Sequence, residues 1–63
     1  MKGTVKFFHD MKNYGFIQPD EGGEDVFFHI SELDAESAQE GDEVEFETEE
    51  GDRGPKAVNV QRV

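Results

Sequence analysis

The sequence predicts one all-β domain that forms a small barrel or sandwich. With 63 residues, the chain has room for a single hydrophobic core. Short stretches rich in β-branched and aromatic residues alternate with turns marked by glycine, proline, asparagine and aspartate, a spacing typical of barrels and sandwiches. The predicted strands are residues 2–8, 14–18, 25–30, 43–48 and 56–62.

The second predicted strand has two different faces. The two-residue period of β-structure places Tyr14 and Phe16 on one face. Gly15 and Ile17 then point to the opposite side. One face is therefore aromatic, and Lys12 lies just before it in the chain.

The third predicted strand repeats this division. Phe27 and His29 share one face, whereas Val26, Phe28 and Ile30 share the other. If the two strands pair, one side of the sheet is mainly aliphatic and the other carries aromatic rings. Because a domain of this size has one core, we expect the aromatic side to face water, where it suits the stacking of nucleobases.

Residues 31–40 and the last two strands complete the predicted fold. Ser31 and Asp34 fit a capping-box pattern, which predicts a short helical turn followed by a loop. Apolar and polar residues alternate in residues 43–48 and 56–62, as in strands with one face in water. The predicted core comprises Val5, Ile17, Val26, Phe28, Ile30, Leu33, Val44, Phe46, Val58 and Val60.

The net charge of −10 is unevenly distributed along the chain. Residues 20–52 hold fifteen acidic residues and no basic one, so every lysine and arginine lies in residues 1–19 or 53–63. If these two segments lie side by side, they form a basic patch on an acidic body. The acidity has three open interpretations: adaptation to concentrated salt, which we favour, an ordinary acidic protein, or an acidic face for a basic protein partner.

The composition argues against several classes of protein. The chain has no cysteine, and His9 and His29 alone are too few for a tight metal site, so we expect neither metal nor cofactor. Ser31 and Ser37 lack an evident partner base, which argues against an enzyme and a small-molecule substrate. No stretch resembles a signal peptide or a membrane span, so we expect a cytoplasmic protein without membrane contact. We also expect a monomer.

Four segments, in order, resemble the cold-shock domain. They are GTVKFF at residues 3–8, KNYGFI at 12–17, DVFFHIS at 25–31 and RGPKA at 53–57. The resemblance extends over nearly the whole chain and implies a single domain over residues 1–63. It also implies a five-stranded antiparallel OB-fold barrel that binds single-stranded RNA and DNA and acts as a nucleic-acid chaperone.

The resemblance assigns roles to individual residues. The implied base-stacking residues are Phe7, Tyr14, Phe16, Phe27 and His29, and the implied phosphate or polar contacts are Lys6, His9, Lys12, Arg53 and Lys56. Strand alternation alone does not place Phe7 on the outer face, so its exposure rests on the resemblance. Asn13 stands where the family usually has glycine, and asparagine tolerates the left-handed geometry of a turn.

Two functions from different classes follow. The first is single-stranded nucleic-acid binding, led by stacking and with weak base preference. The alternative keeps the same fold but makes it a protein-interaction module, whose acidic surface docks a basic partner and whose rings form the centre of the interface.

Overall fold

The computed structural model describes residues 1–34, 38–51 and 54–63. The elements follow the order β1 (Lys2–His9), β2 (Tyr14–Pro19), β3 (Val26–His29), a 3-10 turn (Ile30–Glu32), β4 (Glu43–Gly51) and β5 (Gly54–Arg62). All five predicted strands and the short helical turn after the third are confirmed, with strand ends that differ from the prediction by no more than three residues. Ser37 lies outside the described residues.

The strands close into a barrel in the order β1-β2-β3-β5-β4. Four neighbouring pairs are antiparallel, but β3 and β5 run parallel, with Phe27 paired to Lys56. The predicted five-stranded OB-fold barrel, antiparallel in four of its five strand pairs, is confirmed, and the structure adds one parallel seam. An odd number of strands cannot alternate in direction all the way round a closed ring, so at least one neighbouring pair must be parallel.

The hydrophobic core fills the inside of the barrel. Every predicted core residue is buried except Ile30, which is half-buried and packs against the others. Ala38 and Ala57 are also buried and were not predicted, because small side chains contribute little to a hydrophobic pattern. The largest fully buried side chains are Phe28, Phe46, Ile17, Val5, Val44 and Val60.

A β-bulge in β1 changes which side chains face outward. Val5 pairs with Ile17 of β2, but Phe7 pairs with Phe16, so Lys6 is an extra residue in the ladder. The shift turns Phe7 outward, next to the exposed Lys6. Within the described residues, no helix has the length and apolar character needed to cross a bilayer.

Candidate nucleic-acid interface

The outer surface of β1, β2 and β3 carries a cluster of rings, which we call the aromatic platform. Its five members are Phe7, Tyr14, Phe16, Phe27 and His29. Strand pairing arranges them in two rows that cross the sheet. Tyr14 pairs with His29, and Phe16 lies between Phe7 and Phe27. The platform therefore unites residues from both aromatic stretches and from the β1 bulge.

The rings of the platform support one another. The Tyr14 and Phe27 ring centroids are 5.7 Å apart at 27°, and those of Phe16 and Phe27 are 6.0 Å apart at 71°. Phe7 lies 6.5 Å from Phe16. Edge-to-face and offset contacts of this kind are favourable and hold rings in defined orientations. A ligand therefore meets a preformed surface rather than mobile side chains.

The platform is open to water, as the sequence predicts. Phe7 and Phe27 keep 40% and 38% of their surface exposed, and Tyr14 and Phe16 are half-buried. Clustered phenylalanines in a small domain are normally buried. Here the inner side of the same strands is already filled by the core, so these rings have no place inside the barrel.

An open groove of about 720 Å³ runs beside the platform. It contains every platform residue except Phe7, together with a lysine from each of the two basic segments. The lining residues are Lys12, Tyr14, Phe16, Phe27, His29, Gly51, Gly54, Pro55 and Lys56. The fold thus brings Lys12 and Lys56 to one groove, as expected if the basic segments lie side by side.

The two histidines flank Tyr14 from neighbouring strands. His9 pairs with Tyr14 across β1 and β2, and their rings stack at 5.8 Å and 9°. The Nδ1 atom of His9 accepts a hydrogen bond from the Lys12 backbone N–H at 3.3 Å, and Nδ1 of His29 accepts one from the Ser31 N–H at 3.2 Å. In each neutral ring the proton then resides on Nε2, which can donate to a ligand.

The remaining predicted contacts lie around this surface. Lys6 is exposed and forms an ion pair with Asp25, with 3.5 Å between Nζ and Oδ2. Arg53 lies outside the described residues. The outward side chains of β4 are mainly glutamates, so the body beside the groove is acidic.

Sequence reasoning did not find every residue of this surface. Pro55, Gly51 and Gly54 line the groove but were not predicted as site residues, although Gly54 and Pro55 belong to the RGPKA segment. The stacking of His9 on Tyr14 was also missed, because it depends on the register that the β1 bulge creates. In the described part of the chain, no three histidine, aspartate or glutamate side chains are grouped to hold a metal ion.

Comparison with known families assigns the whole chain to one of them. The family model of the 'cold-shock' DNA-binding domain matches residues 1–63. The chain belongs to the cold-shock domain family. Members of this family bind nucleic acid and are not enzymes, in agreement with the prediction that this chain is not an enzyme.

Individual relatives agree with this assignment. Cold shock-like protein CspC of Escherichia coli K12 is 44% identical over 66 aligned residues, which cover 100% of this chain and 96% of that protein. CspC of Buchnera aphidicola is 46% identical over 63 residues, covering 95% of this chain and 91% of that protein. Both are similar to this cold-shock domain over almost their whole lengths.

Other relatives are much longer. Glycine-rich protein 2 of Nicotiana sylvestris is 56% identical over 63 residues, which cover 94% of this chain but only 29% of that protein. The solved structure of Drosophila Unr CSD456 matches with a TM-score of 0.80 and 25% identity, covering 98% of this chain and 26% of that one. The fold of this chain is therefore similar to the matched part of that structure over nearly its whole length.

Proposed function

We propose that this cold-shock domain binds single-stranded RNA and DNA by stacking unpaired bases on the aromatic platform. The observation that carries the proposal is a continuous outward surface of five rings beside a groove that contains Lys12 and Lys56. Flat rings that lie open to water match the faces of nucleobases, and lysines at the edge match the phosphates between them.

The platform favours single strands over duplexes. In a duplex each base is already stacked on its neighbours, so its faces are not available to the protein. A single strand can turn successive bases toward the rings of Tyr14, Phe16 and Phe27. Because every base has such a face, this mode of binding has weak base preference.

The expected affinity follows from the number of rings. Stacking of one base on an aromatic side chain contributes roughly 1–3 kcal/mol. Before the entropic cost of ordering the strand, three or four such contacts sum to roughly 3–12 kcal/mol, a range that includes the roughly 8 kcal/mol of a micromolar dissociation constant. Bases that lie on the platform cannot pair with one another, so binding would open RNA hairpins in the manner of a chaperone.

The direct test is a titration of a fluorescently labelled single-stranded hexamer, followed by anisotropy. Phe27→Ala removes a central ring and should weaken binding by roughly 5- to 150-fold, the equivalent of one stacked base. Val63→Ala is the matched control, because Val63 is also an exposed apolar residue but follows the last residue of β5, at the end of the strand away from the groove-lining Gly54–Lys56 segment. Equal affinities of the two variants would contradict the proposal.

The same titration in molar salt separates stacking from charge. The Debye length is then only about 3 Å, so lysine–phosphate attraction is largely screened. Phe16→Ala or Phe27→Ala should therefore cost more affinity than Lys12→Ala. Equal or reversed losses would show that phosphate contacts, and not the rings, hold the strand.

A labelled hairpin tests the chaperone activity. We expect the wild-type protein to open a weak RNA hairpin at protein concentrations near its dissociation constant. The Phe27→Ala variant should open the same hairpin only at correspondingly higher concentrations. Binding to single strands without any opening of the hairpin would support nucleic-acid binding but contradict the chaperone activity.

The second hypothesis, a module that docks a basic protein, draws on the exposed carboxylates of β4. It predicts a basic protein that copurifies with the chain and no oligonucleotide binding at any salt concentration. If binding of the hexamer depends on Phe27, the platform binds nucleic acid, and protein docking is excluded as its function.

A further inference from the structure

The two neighbours of β4 cover it to different extents. β5 pairs with β4 along nearly its whole length. β1 pairs with residues 43–45 alone, and Met1 exchanges two main-chain hydrogen bonds with Phe46, at 2.7 and 2.8 Å. In the described part of the chain, no strand pairs with residues 47–51 on the β1 side. We call this uncovered stretch the β4 edge.

The main-chain groups along the β4 edge point away from β5. In an antiparallel ladder, successive residues direct their N–H and C=O groups alternately to the two sides of the strand. Phe46 directs both groups toward β1, so Thr48 and Glu50 direct theirs to the same side. No main-chain partner for them lies on this side within the described residues. Both residues are exposed, so these donors and acceptors meet water.

The side chains of the β4 edge restrict what can pair with it. Three of its five residues are glutamates and none is basic. Charge along an exposed strand edge opposes pairing with a like strand. If a second copy of this chain paired here, glutamates would face glutamates, which is unfavourable. A strand with alternating basic side chains meets no such repulsion and instead gains favourable cross-strand pairs.

We propose that the β4 edge binds an extended basic peptide segment, which joins the sheet as an additional strand. The main-chain groups of Thr48 and Glu50 form the ladder with the peptide, and the glutamates of the edge select lysine or arginine side chains. β5 separates this edge from β3 and its rings. The site therefore acts independently of nucleic-acid binding, and the inference goes beyond the proposed function.

Amide exchange distinguishes strand addition from simple attraction between charges. The probe is a heptapeptide of alternating lysine and threonine, added to the isotope-labelled chain at low salt and without nucleic acid. With saturating peptide, the N–H groups of Thr48 and Glu50 should exchange with heavy water about tenfold or more slowly than without it, because they become hydrogen-bonded. Those of Glu47 and Glu49, which by the same alternation point to β5, should change little.

Two variants test the main chain and the side chains of the edge separately. Thr48→Pro removes one outward N–H and should weaken peptide binding about two- to tenfold, the effect of one lost hydrogen bond. Glu47→Gln/Glu50→Gln removes two negative charges from the edge and should weaken binding by a similar factor. The matched control, Glu21→Gln/Glu24→Gln, removes the same charge from the segment between β2 and β3 and should bind like the wild type.

A modified peptide tests the same hydrogen bonds on the wild-type chain. Methylation of every amide nitrogen of the heptapeptide keeps its charges but removes its main-chain donors, so binding should weaken about fivefold or more. Circular dichroism of each variant confirms that the barrel is folded, and the methylated peptide replaces Thr48→Pro if that variant does not fold. Phe27→Ala, which alters the platform, should bind the heptapeptide as the wild type does.

Each alternative gives a different result. Absence of heptapeptide binding at low salt, or binding with unchanged exchange at Thr48 and Glu50, would overturn the inference. Equal binding of the methylated peptide would also overturn it, because charge alone would then hold the peptide. Protection of the edge that rises with protein concentration, without peptide, would assign the edge to a second copy of the chain instead. Hexamer binding tests the proposed function separately, so either hypothesis can fail without the other.

Discussion

At the scale of single residues, Gly15 shows how the inner and outer surfaces of β2 are coupled. It lies between Tyr14 and Phe16, but its own position faces the core and is buried. A Cβ atom at this position would lie 2.8 Å from the Phe28 ring and would also collide with the carbonyl oxygen of Phe7. The absence of a side chain therefore lets β1 and the core pack closely behind the platform.

Gly15→Ala should destabilise the domain, because neither the buried ring nor the β1 backbone can move away easily. Overpacking of a core typically costs about 1–3 kcal/mol, which is a large part of the stability of a small domain. Thermal unfolding followed by circular dichroism should show a clearly lower midpoint. An unchanged midpoint would mean that β1 can shift without cost.

The residues of the platform could be predicted from the sequence to different extents. Tyr14, Phe16, Phe27 and His29 follow simple strand alternation, and the structure has them on the outer face as expected. Phe7 does not follow it, because its orientation depends on the bulge at Lys6. A bulge of this kind leaves no clear signal in the sequence, so only the family resemblance could indicate that Phe7 is exposed.

At the scale of elements, the turn between β1 and β2 depends on Asn13. This residue adopts a left-handed backbone with φ of 58°. Its N–H donates to the His9 carbonyl at 2.9 Å, and its own carbonyl accepts from the Ile30 N–H at 2.8 Å. The turn therefore joins the end of β1 to the 3-10 turn and supports both histidines of the interface.

Substitutions of Asn13 should separate backbone geometry from side-chain chemistry. Asn13→Ala places an unfavourable residue in the left-handed region and should lower the unfolding free energy by about 1 kcal/mol. Asn13→Gly, the matched control, adopts this conformation without steric cost and should be close to the wild type. Chemical denaturation measures both, and equal losses for the two variants would show that the asparagine side chain is what matters.

The strands could be predicted largely because their apolar residues alternate, but their ends could not. β4 continues to Gly51, beyond its last buried residue, Phe46. The additional residues are held by pairing with β5, where Glu49 lies opposite Lys56. Hydrogen bonds between backbones extend a strand without any hydrophobic signal, so a pattern of side chains underestimates its length.

At the scale of the whole molecule, charge is divided between surfaces. Lys12 and Lys56 share the groove, whereas glutamates occupy the outer face of β4. The net charge is −10, and only two of the carboxylates in the described residues form ion pairs, so repulsion between negative charges outweighs their attraction to cations. Such self-repulsion opposes the compact state and is reduced by salt.

We therefore expect the thermal midpoint to rise as potassium chloride increases from low to molar concentration. For a domain of this size, each 1 kcal/mol added to the free energy of unfolding raises the thermal midpoint by about 4–8 °C. The double variant Glu43→Gln/Glu50→Gln, which removes two exposed carboxylates, should start from a higher midpoint and gain less from salt. Midpoints that do not respond to salt would contradict adaptation to concentrated salt as the reason for the acidity.

We expect the barrel to open locally more often at the parallel seam between β3 and β5 than at its antiparallel strand pairs. In the described residues these strands share one ladder pair, Phe27 with Lys56, and a bridge from Leu33 to Val60 lies further along. Amide protons at this seam should exchange with heavy water sooner than those of the long β4–β5 hairpin. Because Phe27 and Lys56 both line the groove, proton exchange at this seam reports on the backbone directly beneath the candidate interface.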